Sequence, residues 1–267
     1  MLMFVWFLRR VRPLRLRQVV YFRLQRWGWK PGAGNLPAPL ALAPVSLAKL
    51  FATDYAHQQI IATGLYEIGL TKQIVTLARV GGMMIDAGAN AGYFSVIWAS
   101  LNPANKVIAF EPSPRNLDML RTNIVSAGLR DQVDIVPEAL GRVTAKLPFH
   151  PGPEEETGWG GFARAKKDDT IDVLTRRLDD LLSDDTNVAV LKVDCEGADP
   201  WVLEGAERLL RGKRIKNVFF ELNPQRQEAL GIPANSAFDI LRGHGYRVVV
   251  PRGFPETEFR ATISLSD

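Results

Sequence analysis

The chemistry legible in this chain is concentrated in carboxylates placed where short apolar runs end. Met83 to Ala87 is an apolar run suited to a buried parallel strand, Gly88 to Gly92 reads as a tight turn, and the spacing from Tyr93 onward is helical. A strand that turns straight into a helix leaves the first N–H groups of that helix unpaired, which suits a carboxylate, and Gly88 lets a ligand approach the main chain. A second run, Lys106 to Phe110, delivers Glu111 to the same sheet edge. A carboxylate there accepts two hydrogen bonds from the vicinal hydroxyls of a ribose, so the pair selects a nucleoside ligand. The turn reads D-x-G-x-x-x-G, with Asp86 where a pyrophosphate-binding G-x-G-x-x-G turn has its first glycine. A carboxylate at that point repels phosphate and favours a ligand that carries an amine and a sulfonium.

That combination describes S-adenosylmethionine. The turn resembles motif I of class I methyltransferases, and the wider string resembles the FkbM family of methyltransferases. The resemblance is carried by Gly64-Leu-Tyr66-Glu67, DAGANAGYFS, FEPSPRNLDMLRTN, Glu138-Ala139-Leu140, Leu178-Asp179-Asp180-Leu181, LKVDCEGAD at 191 to 199, and FFELNP at 219 to 224. It implies S-adenosylmethionine as cofactor, held by Asp86, Gly88, Asn90, Gly92, Glu111, Pro112, Glu138 and Ala139. It also implies methyl transfer to a hydroxyl, of a sugar in a glycan, a glycolipid or a secondary metabolite. Asn90 either points to the cofactor or caps a helix beginning at Ala91. Glu138 either meets the adenine amino group or faces solvent in a turn.

Methyl transfer needs acceptor oxygen, methyl carbon and sulfur in line, and a hydroxyl reacts better beside a base or a metal. Asp194 and Glu196 follow the fourth strand and Glu221 follows the fifth, where open α/β sheets place ligands, and these three are the candidate catalytic residues. Asp194, Glu221 and Asn223 could hold one Mg²⁺ alongside a sugar diol. The alternative for each carboxylate is a helix cap or a salt bridge, and Lys192 is placed to pair with Asp194 or Glu221. Tyr66 and Glu67 resemble the family's element that closes over the site. Trp159 lies in the segment Gly141 to Thr170, read as a lid over an apolar sugar face or as an ordinary surface loop. Cys195 reads as core packing, His244 as a turn residue, and His57 and His150 carry no assignment.

The elements that must position these groups alternate. Strands are expected at 83–87, 106–111, 132–136, 188–194, 215–221, 246–250 and 259–265, with helices at 91–101, 114–127, 175–182, 200–211 and 235–243. Such alternation specifies a doubly wound, Rossmann-like α/β sheet, and the short loop between the last two strands requires them to pair antiparallel. Residues 54–79 have helical periodicity and form a layer ahead of the first strand. Pro31 to Pro44 is a Pro/Ala/Gly-rich connector, which divides a basic N-terminal extension, 1–53, from a methyltransferase domain, 54–267.

Charge follows that division. Residues 1–53 carry nine Lys and Arg and no acid, against 24 basic and 29 acidic residues in the remainder, for a net charge of +4 overall. Eight apolar residues precede Arg9, well short of the ~20 needed to cross a bilayer, and a secretory signal would order charge before the apolar stretch. The expected location is therefore cytoplasmic. Arginines interleaved with aromatic residues suit residues 1–30 to an anionic membrane surface; a helix packed on the catalytic domain or on a second subunit is the alternative. The remaining chain is acidic and lacks an RNA-binding module, so nucleic acid is not an expected partner. Two other classes compete with a methyltransferase: a noncatalytic nucleoside-binding or scaffold protein of the same fold, and an NAD-dependent oxidoreductase, which the missing first glycine opposes.

Overall fold

The computed structural model describes residues 2–32, 37–153 and 155–263. Its centre is a seven-stranded sheet made of β1 (Met83–Ala87), β2 (Lys106–Phe110), β3 (Val133–Val136), β4 (Val188–Val193), β5 (Asn217–Glu221), β6 (Tyr246–Val249) and β7 (Glu258–Ile263). The spatial order is β6-β7-β5-β4-β1-β2-β3. Strands β3, β2, β1, β4 and β5 run parallel, and β7 lies antiparallel between β5 and β6. A parallel sheet must be covered on both faces, and the strand period of two divides the side chains accordingly. Met84 faces one core with Val96, Trp98, Leu120 and Ile74, while Ile85 and Ala87 face the other with Leu203, Leu209 and Leu241.

The helical layer ahead of β1 is two helices, α3 (Tyr55–Thr63) and α4 (Ile68–Val80). Before them, α1 (Leu2–Leu8) and α2 (Leu14–Arg26) fold back onto α3 around a small core of Leu8, Tyr21 and Ala62. The Arg9 guanidinium donates to the Ile61 carbonyl at 2.6 and 3.2 Å, and Arg17 donates to the Thr63 carbonyl at 2.7 Å. The last carbonyls of a helix have no partner within it and face the negative end of its dipole, so two arginines satisfy them well. Packing of the extension on the catalytic domain is thus observed. The connector holds no helix, only the two-residue ladder of Ala38–Pro39 with Ser46–Leu47; its residues 33–36 lie outside the described residues.

Several elements differ from the sequence expectation. The helix expected from 91 is α5 (Tyr93–Ser100), because Asn90 and Gly92 take positive φ values of 48° and 82° and extend the turn. Residues 200–211 form two short helices, Asp199–Glu204 and Glu207–Arg211. They break near Gly205, where a Cβ would stand 2.1 Å from the Gly141 carbonyl oxygen. The segment from 141 to 170 is not simply a loop. With its flanks it builds a second sheet from Ala139–Leu140, Ala145–His150, Gly161–Phe162 and Ile171–Arg176. Of the helix expected at 175–182 only Leu178–Leu181 is helical, and a helix absent from the sequence reading, Pro224–Leu230, follows β5.

Candidate active site

Gly88 leaves β1 with φ +78°, and a Cβ on it would lie 2.1 Å from the Asp194 carbonyl oxygen. Its first requirement is therefore the close passage of the β4 exit, not ligand approach alone. Gly92, also left-handed, is pressed against Leu120. Between them the Asn90 N–H donates to Glu111 Oε2 at 2.8 Å, and the Ser113 N–H donates to Oε1 at 2.8 Å. Asn116 adds a longer contact to Oε1 at 3.5 Å. Burial pushes the Glu111 carboxyl up to about 7 against these bonds. Asn90 does not cap α5; its side chain meets the Thr157 hydroxyl at 3.3 Å.

Two cavities meet at Gly88, Asn90 and Asp194. The smaller, about 60 Å³, is a slot walled by Phe110, Pro112, Ala139, Phe149 and Phe162, with Glu111 and Asn116 in its lining. Phe149 and Phe162 belong to the second sheet and stand edge to face, with ring centroids 5.8 Å apart. The larger cavity, about 670 Å³, is bounded by α3, Tyr66, Glu67, Phe94, Trp159, Lys192, Asp194, Glu196, Glu221, Asn223 and Arg226. The sequence therefore brought most of its candidates to one place. Asp86, Gly92 and Glu138 line neither cavity and stand behind the residues that do. Asp86 is buried behind Gly88, accepting from Ser95 Oγ at 2.6 Å and facing Lys192 Nζ at 3.4 Å. Glu138 accepts from Arg176 Nε at 3.0 Å.

Register explains the buried charges. Lys192 stands opposite Asp86 across the β4–β1 pair and reaches Asp194 at 3.3 Å on its own strand. Burial disfavours the ammonium, but Asp194, Asp86 and Glu67 outweigh it and hold Lys192 charged above the ordinary lysine range. Lys192 thus pairs with Asp194, as its alternation along the strand predicts, and not with Glu221. Glu196 pairs with Arg226 at 3.3 Å and is pushed up to about 7 by burial and by Asp194. Glu221 has no hydrogen bond or ion pair to its carboxylate among the described residues. Burial and the charges of Asp194, Asp199 and Glu196 push it up to about 8. Asp199, fully buried, fixes both exits: it accepts from the Cys195 N–H at 3.0 Å and the Glu221 N–H at 2.9 Å.

A metal does not fit. Among the described residues no three His, Cys, Asp or Glu side chains converge to hold an ion. Asn223 caps the helix Pro224–Leu230 by accepting from the Arg226 N–H at 3.3 Å, and Asp194 already faces Lys192. The Mg²⁺ expected on Asp194, Glu221 and Asn223 lacks a donor set.

The segment that carries Thr157 and Trp159 is held at two points. Asp54 caps α3 by accepting from the His57 N–H at 2.8 Å, and its other oxygen accepts from the Thr157 N–H at 2.6 Å and hydroxyl at 2.9 Å. On the far side Arg226 donates to the Trp159 carbonyl at 3.1 Å. His57 is buried beside Asp54, and burial lowers its pKa. Glu67, Asn90 and Glu196, with φ of 38°, 48° and 49°, take left-handed angles that residues with a Cβ rarely adopt, and all three line the large cavity. Sequence reasoning missed Asp54, Thr157, Phe149, Phe162, Asp199 and Arg226. The capping signal at Asp54 ahead of a helical stretch was available; the others depend on the second sheet or on long-range pairing.

The β6-β7-β5-β4-β1-β2-β3 order, the glycine turn after β1 and the acid after β2 define an α/β methyltransferase of class I, which uses S-adenosylmethionine. Residues 86–248 match the Methyltransferase FkbM domain, and the chain belongs to that family. It is 28% identical over 230 residues to methyltransferase sdnD of Sordaria araneosa, covering 70% of this chain and 86% of that protein. It is 29% identical over 203 residues to the 31-O-demethyl-FK506 methyltransferase FkbM of Streptomyces tacrolimicus, covering 64% and 75%. Among solved structures, the O-methyltransferase of Bacillus cereus in complex with SAH aligns at a TM-score of 0.43 and 13% identity, covering 73% of this chain and 80% of that one.

Proposed function

We propose that the chain methylates a hydroxyl of a neutral, sugar-like acceptor, free or part of a glycan, with the cofactor lying across the junction of the two cavities, its ribose toward Glu111, and the acceptor in the large cavity. The observation that carries this reading is the junction of the two cavities at Gly88, Asn90 and Asp194. When bound, S-adenosylmethionine supplies an electrophilic methyl group on a sulfonium.

The remaining work falls to residues of this chain. Phe149 and Phe162, packed edge to face on each other, offer one apolar wall to a ring system, Pro112 and Ala139 close the slot, and Glu111 accepts from a ribose hydroxyl in place of its 3.5 Å contact to Asn116. Asp194, paired with Lys192 at 3.3 Å, places a carboxylate beside the junction, where a sulfonium is stabilised. Glu221 takes the acceptor proton. Its pKa, raised to about 8, favours the protonated form at neutral pH; a nearby cation favours the carboxylate and brings it toward the range where a base works best. The neutral acceptor follows from charge: Arg226 pairs with Glu196 and Lys192 faces both Asp86 and Asp194, so neither cation lining the cavity is left to pair with an anionic acceptor. Exposed Trp159 at the rim offers a face to a sugar ring.

Glu221→Gln tests the assignment. It should lower kcat on the order of 10²- to 10⁴-fold with calorimetric affinity for S-adenosylmethionine nearly unchanged. Undiminished turnover of any methylated product, followed by mass spectrometry across a panel of neutral polyols, would move the base to Asp194 or Glu196.

A further inference from the structure

We propose that the outward face of the two N-terminal helices docks on an anionic lipid surface. The observation is a concentration of apolar and basic side chains that stand exposed among the described residues, with the Arg10 guanidinium lying over the Trp6 ring at 3.4 Å. Among the described residues, seven of the fifteen exposed large apolar side chains lie within residues 4–27. On α1, Val5 and Leu8 face inward while Trp6 and Phe7 stand 55% and 60% exposed. On α2 the inward positions are Arg17 and Tyr21, and the outward stripe repeats at helical spacing as Arg15, Leu16, Val19, Phe22, Arg23 and Arg26. Trp27 follows at 85% exposed. An apolar patch rimmed by charge of one sign on a soluble chain marks an interaction surface.

Charge chooses the occupant. The structure separates two kinds of arginine in this extension: Arg9 and Arg17 are spent on the carbonyls of α3, while Arg12, Arg15, Arg23 and Arg26 make no ion pair among the described residues. No acid occurs before Asp54. A second copy would bring this face against identical arginines, whereas anionic headgroups complement them and the acyl boundary takes Trp6, Phe7 and Phe22. Nucleic acid would match the charge and leave the aliphatic stripe uncovered.

The position of the patch gives it a use. Helix α3 carries Arg9 and Arg17 on its last turn and lines the large cavity with its first, through Tyr55, Ala56 and His57. The rise from Tyr55 to Ile61 is about 9 Å. A bilayer against the outward face of α1 and α2 is separated from α3, which forms one wall of the cavity that the proposed function assigns to the acceptor, by the thickness of one helix layer, about 10 Å, a distance that an acceptor carried on a lipid can bridge. That last step rests on the acceptor assignment; the docking does not.

Flotation of the full chain with vesicles tests it. The protein should float with phosphatidylcholine vesicles containing one part in three phosphatidylglycerol. It should not float with phosphatidylcholine alone, and binding should fall as salt rises. Arg23→Gln and Arg26→Gln should each weaken binding roughly fivefold. Trp6→Ser with Phe22→Ser should remove the part that survives high salt, all with S-adenosylmethionine affinity in calorimetry unchanged. Absence of binding to the anionic vesicles by the unaltered chain overturns the proposal. So does equal binding by all variants, a dimer in sedimentation that the same substitutions dissolve, or preferential binding to RNA. Loss of cofactor affinity in the unaltered chain would instead strike the functional reading and leave the docking result standing.

Discussion

At Glu111 one carboxylate both builds the turn and faces the slot. Its two backbone donors, from Asn90 and Ser113, would form whether or not a ligand binds, and they hold Asn90 in its left-handed conformation. Glu111→Ala should therefore do more than remove a ribose contact. The expected loss of S-adenosylmethionine affinity is about 1.5 to 3 kcal/mol by calorimetry, the range for a hydrogen bond to a charged group. Glu111→Gln separates the two roles: it can still accept through its amide oxygen, so the fold should survive while affinity drops. Wild-type affinity in both variants would place the ribose elsewhere. This acid was legible in sequence because strand, acid and proline come in direct succession. Asp86 was legible as an unusual residue, but its partner Lys192 was not, because that lysine comes from a strand a hundred residues later and meets it only through the register of β4 on β1.

Among the elements, the parallel strands were readable because burial on both faces makes them short, nearly continuous apolar runs. The second sheet was not. Its longest hairpin strand, Ala145-Lys-Leu-Pro-Phe-His150, is only partly buried and is interrupted by Pro148, and two of its four members span two residues each. Helix Pro224–Leu230 did have a signature, Asn223 as cap and proline at its first position, and the carboxylate before it drew attention away. The connection between two strands of this sheet brings Thr157 to Asp54. Asp54→Ala removes the cap of α3 and both bonds to Thr157, so stability should fall by about 1 to 2 kcal/mol in chemical denaturation. KM for the acceptor should rise more than kcat falls. Thr157→Val, which keeps the cap and the backbone bond, should reproduce the KM effect with a smaller stability loss. A KM unchanged in both would show that closure of this segment is not needed to bind acceptor. Metal chemistry is tested at this level as well: with no donor set joining the ends of β4 and β5, turnover should persist in excess chelator.

The whole molecule carries an asymmetry of charge between a basic outer layer at its N-terminus and a cluster of acids around its cavities, and the second has a consequence for stability. Glu111, Glu196, Asp199 and Glu258 are pushed up to about 7 and Glu221 to about 8, in every case first by burial. Each ordinary carboxyl of this kind titrates near 4.5, or 3.8 for Asp, in the unfolded chain. Between those values and the raised ones the folded protein holds more protons than the unfolded one, so stability contributed by these groups is complete at low pH and is lost as pH rises through about 7 to 8. Without cofactor, the midpoint of thermal unfolding should fall from about pH 5.5 to about pH 8 by roughly 3 °C or more, the equivalent of about 1 kcal/mol for a chain of this size. A bound sulfonium reverses part of this, because a cation among carboxylates favours their charged forms. The gap in unfolding temperature between protein saturated with S-adenosylmethionine and protein without it should widen as pH rises over the same interval. S-adenosylhomocysteine, which lacks the sulfonium charge, should give a gap that changes less. Differential scanning fluorimetry at a series of pH values decides the matter: a flat or rising midpoint without cofactor would show that the acids are solvated and carry no such linkage, and equal gaps for the two ligands would mean that the cofactor's charge does not lie among them.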